Sequence, residues 1–524
     1  MRQLATHDRP HPLRWRDVYR EAELYKAAIR VYTKPLFQWR KALNTSTDGK
    51  TLYDLAGRGL RGLDALHRLL ARESFQFRPS MALKYNFNGK RRTLYIPPWE
   101  ERIVDLLLYR LLNRKLHRWF APDSYAYRDR SLGLDSCQQK IARILAAARE
   151  PVYVVKRDIR DYFASVDHEL LLAQLARLVD PGDYLFRLLK QRVRFSYQDE
   201  EGSHIAEIGI PFGCASACVF ANVYLTEMDR AVAVPGVSYF RYADDILLLS
   251  GSREAISEAS EQLAVKLAEL RLGTKASHEA DLVAGLSAGR GLTAPQRLKP
   301  LSLKAPDRRA ESAAPPKGLA SHRDVGAGPF EGMHADSHFA AVSEFRHLGL
   351  LFRAGGAVAL SRDKQRKIEN LFRFAFRRSR RKWGKIADPR ERARTLCAIA
   401  DETVAKGVRN VAIVDYYLKH VSDEEQLRRL DRWLAEEVLS MVFGGHRKGN
   451  FAKISFAELR GVGLPSLVHR RRLIRGGRVE TPFFIWQKQK AARAFRGTVA
   501  RLVRASSGHA AFSPGPEAAA NKRP

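Results

Sequence analysis

Hydrophobic and polar positions along the chain change period several times, and each change marks an element. Val152-Tyr153-Val154-Val155 runs straight into Lys156-Arg157-Asp158, a short apolar run that predicts a buried strand delivering Asp158 at its end. Next, Ser165-Val166-Asp167-His168-Glu169 leads into Leu170-Leu171-Leu172. This reads as a helix start with Asp167 as N-cap, its carboxylate accepting from the orphan amides of the first turn. Asp167 thus has a structural task, and Asp158 has none. Further on, Arg241-Tyr242-Ala243-Asp244-Asp245 precedes Ile246-Leu247-Leu248-Leu249, predicting two strands joined by a tight turn with both acids at its tip. Strands are also predicted around residues 82–97, and Leu106-Leu107-Leu108 with Leu111-Leu112 marks a buried helix.

The pattern divides the chain into regions. Residues 1–150 are mainly helical apart from the strands near 82–97, and residues 151–283 hold the strand-rich segment with the acids. From 284 to 340 the periodicity stops. Ala313-Ala314-Pro315-Pro316 and Gly326-Ala327-Gly328-Pro329 predict a linker-like or disordered insertion there. It separates Leu272-Gly273-Thr274-Lys275 from a short hairpin at 341–360. Residues 361–505 are helical by periodicity, with start signals at Ser361, at Ser422-Asp423-Glu424-Glu425 and at Ser455-Phe456-Ala457-Glu458. The tail 506–524, with Ser513-Pro514-Gly515-Pro516, is predicted disordered.

Composition narrows the partners. The 524 residues suggest two to four domains at about 150 residues each. Lys and Arg number 91 against 57 Asp and Glu, a formal charge of +34, which is the electrostatic footprint of a polyanion binder. The excess is concentrated. Between Arg362 and Arg394 there are fourteen Lys or Arg against four acids, interleaved with Phe372, Phe374, Phe376 and Trp383. A second cluster is His469-Arg470-Arg471-Arg472 with Arg475 and Arg478. Arg377, Arg378, Arg380, Arg381, Arg470, Arg471 and Arg472 are therefore candidate nucleic-acid contacts. Membrane-surface binding is the rival use of basic amphipathic helices. Four cysteines are too few and scattered for a disulfide framework, and Cys214 with Cys218 lacks a second ligand pair for zinc. No apolar run approaches 18 residues and the start has no apolar leader segment. A cytoplasmic protein with no membrane partner is expected.

Buried carboxylates are costly without a paired cation. Asp158, Asp244 and Asp245 therefore ask for a hard divalent ion such as Mg²⁺, unless the Asp pair is simply a solvated turn. Two-metal nucleotidyl transfer needs carboxylates from two strands holding ions about 3.5–4 Å apart. These three residues supply that set.

Between the acids lie Gly209-Ile210-Pro211-Phe212-Gly213-Cys214-Ala215-Ser216 and Ala221-Asn222-Val223-Tyr224-Leu225 with Asp229. Here the chain resembles a bacterial reverse transcriptase, similar to the group II intron, retron and defence-associated branches. Six segments follow the family's order over roughly residues 80–360. They are Lys84 to Val104, Ser124-Tyr125-Ala126-Tyr127-Arg128, Asp158 to Asp167, Gly209 to Asp229, Arg241 to Asp245, and Phe345-Arg346-His347-Leu348-Gly349-Leu350-Leu351-Phe352. The resemblance implies an α+β right-hand polymerase. Residues 1–150 would be N-terminal helices and fingers, 151–283 a palm with an antiparallel sheet, 341–360 a primer-grip hairpin and 361–505 a helical thumb or C-terminal domain.

The resemblance also implies roles. Two Mg²⁺ ions would be held by Asp158 and Asp244, with the Ile159 carbonyl and Asp245 in support. Lys84 and Arg92 match triphosphate-binding positions, against a reading as ordinary strand-surface charge. Lys275 matches a palm lysine, and Arg128 a nucleic-acid contact. Phe163 stands where the family keeps a ring against the sugar, excluding a 2′-hydroxyl, although composition alone allows a core Phe. Phe212-Gly213 lies at the nucleotide, where the family's loop reads Pro-Gln-Gly. Phe212 removes a polar handle and adds a stacking face. That departure, the insertion and the helical C-terminal region fit the divergent defence-associated branch. RNA template, DNA primer and dNTPs are the implied partners, with a non-coding RNA or a second defence protein as candidates. The alternatives are a mobile-element reverse transcriptase of intron or retron type and a non-catalytic nucleic-acid scaffold. The scaffold would have no need for the three acids.

Overall fold

The structure, a computed structural model, describes residues 12–33, 48–51, 59–87, 90–128, 132–232, 234–275, 282–284, 339–406 and 413–477. The expected disordered tail 506–524, residues 478–505 of the helical region and nearly all of the 284–340 insertion lie outside the described residues. Strands occur at Ser80–Phe87 (β1), Lys90–Ile96 (β2), Val152–Asp158 (β3), Ser196–Asp199 (β4), Gly202–Ile205 (β5), Val237–Tyr242 (β6) and Asp245–Ser250 (β7). Leu282–Ala284 (β8), Ala340–Val342 (β9), Glu344–His347 (β10), Leu350–Arg353 (β11) and Val358–Leu360 (β12) follow. They form sheets of order β2-β1-β4-β5, β6-β7-β3-β8-β9 and β10-β11-β12.

The central sheet explains the apolar runs. Alternate residues of a strand point to opposite faces, and here both faces are covered. Val155, Ile246 and Leu248 enter a core with the helices Trp99–Leu116, His168–Ala176, Ser216–Ala231 and Arg253–Glu269. Val152, Val154, Leu247 and Leu249 enter a second core with the helix Leu134–Ala147, strands β10 to β12 and the C-terminal helices. A strand buried on both sides reads as continuously hydrophobic. Two ends of the expected insertion are strand rather than linker: β8 and β9 pair in parallel, Leu282 with Ala340 and Ala284 with Val342. The chemical reason is that the sheet edge beside β3 needs backbone partners.

The C-terminal helices carry their start signals unevenly. Asp423 accepts from the Gln426 amide and Ser455 forms a reciprocal capping box with Glu458. Ser361 precedes the helix Arg362–Arg378 without a side-chain cap bond. Ser422 is not the cap of its helix; its hydroxyl accepts from the Val358 amide at 2.7 Å, tying β12 to that helix. Arg362–Arg378 buries Ile368, Phe372 and Phe376 at four-residue spacing, each worth about 2 kcal/mol when fully buried. It turns Arg362, Arg366, Arg377 and Arg378 outward, while Arg373 pairs with the buried Glu437.

Candidate active site

Register brings the three acids together. Tyr242 pairs with Asp245 across β6 and β7, leaving Ala243 and Asp244 as a two-residue turn. Ala243 sits at φ +60, a left-handed conformation that costs an alanine roughly 1 kcal/mol or more. Asp158 pairs directly with Asp245 across β3 and β7, so their side chains share the face that meets the second core. The Ile159 amide donates to the Asp244 carbonyl at 3.0 Å, locking the turn to the end of β3. Thr274 bridges Ile159 through Arg160 N–H to Gly273 O and Lys275 N–H to Asp158 O, both 2.8 Å. That pattern leaves the Ile159 carbonyl out of the bridge.

Electrostatically the site is short of positive charge. Burial raises the Asp244 carboxyl above its ordinary value, and the negative charge of Asp158 raises it further, while Lys275 opposes both. The Lys275 ammonium forms an ion pair with Asp158. His347 places Nδ1 3.3 Å from Asp245. An all-oxygen donor set with excess negative charge fits a hard divalent cation. Asp158, Asp244, Asp245 and the Ile159 carbonyl are the groups that could hold it.

Behind the turn lies a buried network that sequence reasoning did not single out. Arg241 is fully buried and grips Asp229 through Nε and Nη2 at 2.7 and 2.6 Å. Its Nη1 donates to the Ala243 carbonyl at 3.2 Å and its Nη2 to the Ser124 hydroxyl at 2.9 Å. One guanidinium therefore supports the strained turn, the helix Ser216–Ala231 and the Ser124 segment. A second pair, Arg192 to Asp105 at 3.0 Å, is equally buried. Asp105 also accepts from the Ala215 and Ser216 amides, anchoring the loop that carries Phe212. The residues were visible, but nothing in their spacing announced the partners. Asp167 accepts from Leu170 N–H at 2.9 Å, the cap expected of it.

The nucleotide-side candidates separate into two faces. Phe163 meets Phe212 edge-on at 5.7 Å and Tyr127 at 6.3 Å, and the Arg92 guanidinium lies 5.5 Å over the Phe212 ring. The Phe212 carbonyl accepts from Tyr95 N–H at 2.9 Å. Gly213, at φ +104, lets this loop press on β2, since a Cβ there would lie 2.3 Å from Leu94. Lys84 departs from the expectation. It pairs with Thr93 while Arg92 pairs with Tyr85, so strand alternation puts Lys84 and Arg92 on opposite faces of the β1–β2 pair.

The arginine expectations also divide. Arg128 spends its guanidinium on the carbonyls of His117, Ala121 and Ser124, an internal staple. Arg470 forks onto Asp415, itself buried, at 2.9 and 2.8 Å. Arg471 is buried and pairs with Glu424 at 3.2 Å. These three engage partners inside the fold, a structural use that sets them apart from the nucleic-acid role expected of them. Arg472 is exposed but also engages Glu424. Arg377, Arg378, Arg380 and Arg381 are exposed. Elsewhere, Asp199, Glu201 and His204 bring ligand atoms within 4.8 Å of one another on the β4–β5 hairpin, a different sheet from the three acids. Among the described residues, no helix is long and apolar enough to cross a membrane.

Residues 84–278 match the family described as reverse transcriptase (RNA-dependent DNA polymerase). The chain is similar to Protein YkfC of Escherichia coli strain K12, 26% identical over 235 residues, 37% of this chain and 61% of that protein. It is similar to the retron Ec83 reverse transcriptase of Escherichia coli, 27% identical over 121 residues, 22% of this chain and 38% of that one. An uncharacterized 91 kDa protein in a cob intron of Schizosaccharomyces pombe is 22% identical over 179 residues, 34% of this chain and 22% of that protein. The chain spans less than two thirds of the length of each of these relatives.

Proposed function

We propose that this chain, a member of the reverse transcriptase family through residues 84–278, is an RNA-directed DNA polymerase working by two-metal nucleotidyl transfer. Its α+β fold is that of a right-hand polymerase, with the pair β1–β2 as fingers, the central sheet as palm, β10–β11 as primer grip and the helices after Ser361 as thumb. The observation that carries the reading is Asp158 set directly across from Asp245, with Asp244 in the β6–β7 turn just before Asp245 and its carboxyl raised by burial and by Asp158. Bound Mg²⁺ would neutralise charge on the primer 3′-hydroxyl and the incoming triphosphate. Asp158 and Asp244 would hold the ions, with the Ile159 carbonyl and Asp245 in support, and Lys275 pairs with Asp158. Arg92 faces the triphosphate, Phe163 crowds the sugar, and Phe212 offers the base an aromatic face. RNA template, DNA primer and dNTPs are the partners, and the cytoplasm the setting.

The biological role we assign is bacterial antiviral defence, supported by Phe212 in the loop and by the long interruption before the hairpin. A mobile-element role is the second reading, favoured by relatives named for a retron and an intron. Primer extension in Mg²⁺ tests the activity. Wild type should extend an RNA-templated primer with dNTPs, and Asp244→Ala or Asp158→Ala should lose at least about a thousandfold, since metal-centred stabilisation is worth several kcal/mol, with the thermal unfolding transition retained. Equal incorporation by wild type and Asp244→Ala would overturn the assignment.

A further inference from the structure

We infer that His347 is a positioning residue for Asp245, joining the tip of the β10–β11 hairpin to the acid turn; this rests on the reading of the turn as a metal site. The imidazole is 1% exposed and its Nδ1 is 3.3 Å from an Asp245 carboxylate oxygen. Neither ring nitrogen makes a well-aligned hydrogen bond. A buried polar group left in that state costs about 1–3 kcal/mol, and an apolar ring of similar size would avoid the cost. The polar ring is kept against a carboxylate that shares a face with Asp158.

The hairpin tip gives the ring little room to retreat. His347 pairs with Leu350 across Leu348 and Gly349, which sit at φ +48 and +80. Positive φ at both central residues is the two-residue turn that matches strand twist. Gln138 Nε2 donates to the Leu348 carbonyl at 3.4 Å, and a Cβ on Gly349 would lie 2.5 Å from the Lys364 side chain. The helix Leu134–Ala147 and the helix Arg362–Arg378 thus pin the tip from two sides. Through it, His347 limits the orientations open to Asp245. The hairpin that would hold the primer end and the carboxylates that would hold the ions are thereby set relative to each other by one side chain.

The test compares His347→Phe, which keeps the ring volume and removes the polar atoms, with His347→Asn, which keeps a polar end. Mn²⁺ affinity is read by electron paramagnetic resonance on the full chain, beside kcat and KM for dNTP. Groups that orient metal ligands change affinity by about 10–100-fold when removed. His347→Phe should therefore bind Mn²⁺ at least about tenfold more weakly and lose kcat with KM within about twofold, while melting no lower than wild type. His347→Asn should recover part of both. Unchanged Mn²⁺ affinity in His347→Phe overturns the proposal, and so does equal loss in the two variants. Wild type that neither binds Mn²⁺ nor extends primers would instead overturn the reading of the site itself.

Discussion

Asp229 and Asp244 serve the same end of the same sheet under opposite electrostatics. Asp229 is buried and saturated: Arg241 forks onto it and Tyr239 donates to it at 2.6 Å. Asp244 is half-buried and faces another acid, so its carboxyl is raised by burial and by Asp158. An acid whose charge is answered by the fold holds the fold. An acid set against a further acid, with the nearby Lys275 already paired to Asp158, is set up for a cation the chain does not supply. The same contrast sorts the arginines: Arg470 and Arg471 are answered by Asp415 and Glu424, whereas Arg377, Arg378, Arg380 and Arg381 stand in solvent.

Asparagine at each acid breaks the comparison most sharply. Asp229→Asn leaves the Arg241 guanidinium buried and uncompensated, which should cost about 3–5 kcal/mol. Asp244→Asn should do the reverse in metal-free protein. A carboxyl whose folded value is raised is favoured in its protonated form by folding, so ionisation costs stability as pH rises past the unfolded carboxylate value. Removing the charge therefore stabilises the protein in EDTA at neutral pH, and the gain vanishes once pH falls below the usual carboxylate range. Urea denaturation in EDTA at several pH values measures both. A destabilised Asp244→Asn at pH 7 would mean that the turn acid is structural.

How much of this was legible follows from how local each cause is. Asp158 at a strand end, Asp167 as a cap and the two-acid turn are decided by neighbours within a few residues, and the apolar pattern around them suffices. Arg470 and Arg377 sit in equally basic stretches, and what separates them is the position of Asp415 in three dimensions. Lys84 and Arg92 depend on register, where a slip of one residue exchanges the faces. His347 and Arg241 stood inside recognised segments, but a buried polar partner is a property of packing and has no period.

The exposed arginines sharpen the contrast at intermediate size. Replacing Arg377, Arg378, Arg380 and Arg381 with Gln should flatten the slope of log K against log [salt] for primer–template by up to about 3–4 units, at about 0.9 per phosphate contact. Arg470→Gln should leave the slope alone and cost about 3 kcal/mol of stability by stranding the buried Asp415. Fluorescence anisotropy at several KCl concentrations, beside urea denaturation, checks both. Overlapping salt lines for wild type and the quadruple variant would remove these arginines from the interface.

Phe163 gives the smallest effect and asks the same question of an apolar group: is its surface filled by the fold, or left open for a ligand? Tyr162, Tyr127 and Phe212 meet it edge-on, yet the residue stays half-buried. A ring fully committed to the core would cost about 3–5 kcal/mol on truncation to Ala and would leave substrate choice alone. A ring with one face turned to the nucleotide should cost less in stability and shift discrimination by about 1–3 kcal/mol, roughly tenfold or more. We expect the second pattern: Phe163→Ala raises rNTP incorporation relative to dNTP about tenfold while remaining folded. Phe163→Tyr, which keeps the ring, should hold the wild-type ratio, so that a change there would point to polarity rather than size. Single-nucleotide incorporation with matched rNTP and dNTP reads the ratio, and urea denaturation reads the cost. An unmoved ratio in an active Phe163→Ala protein would return Phe163 to the core.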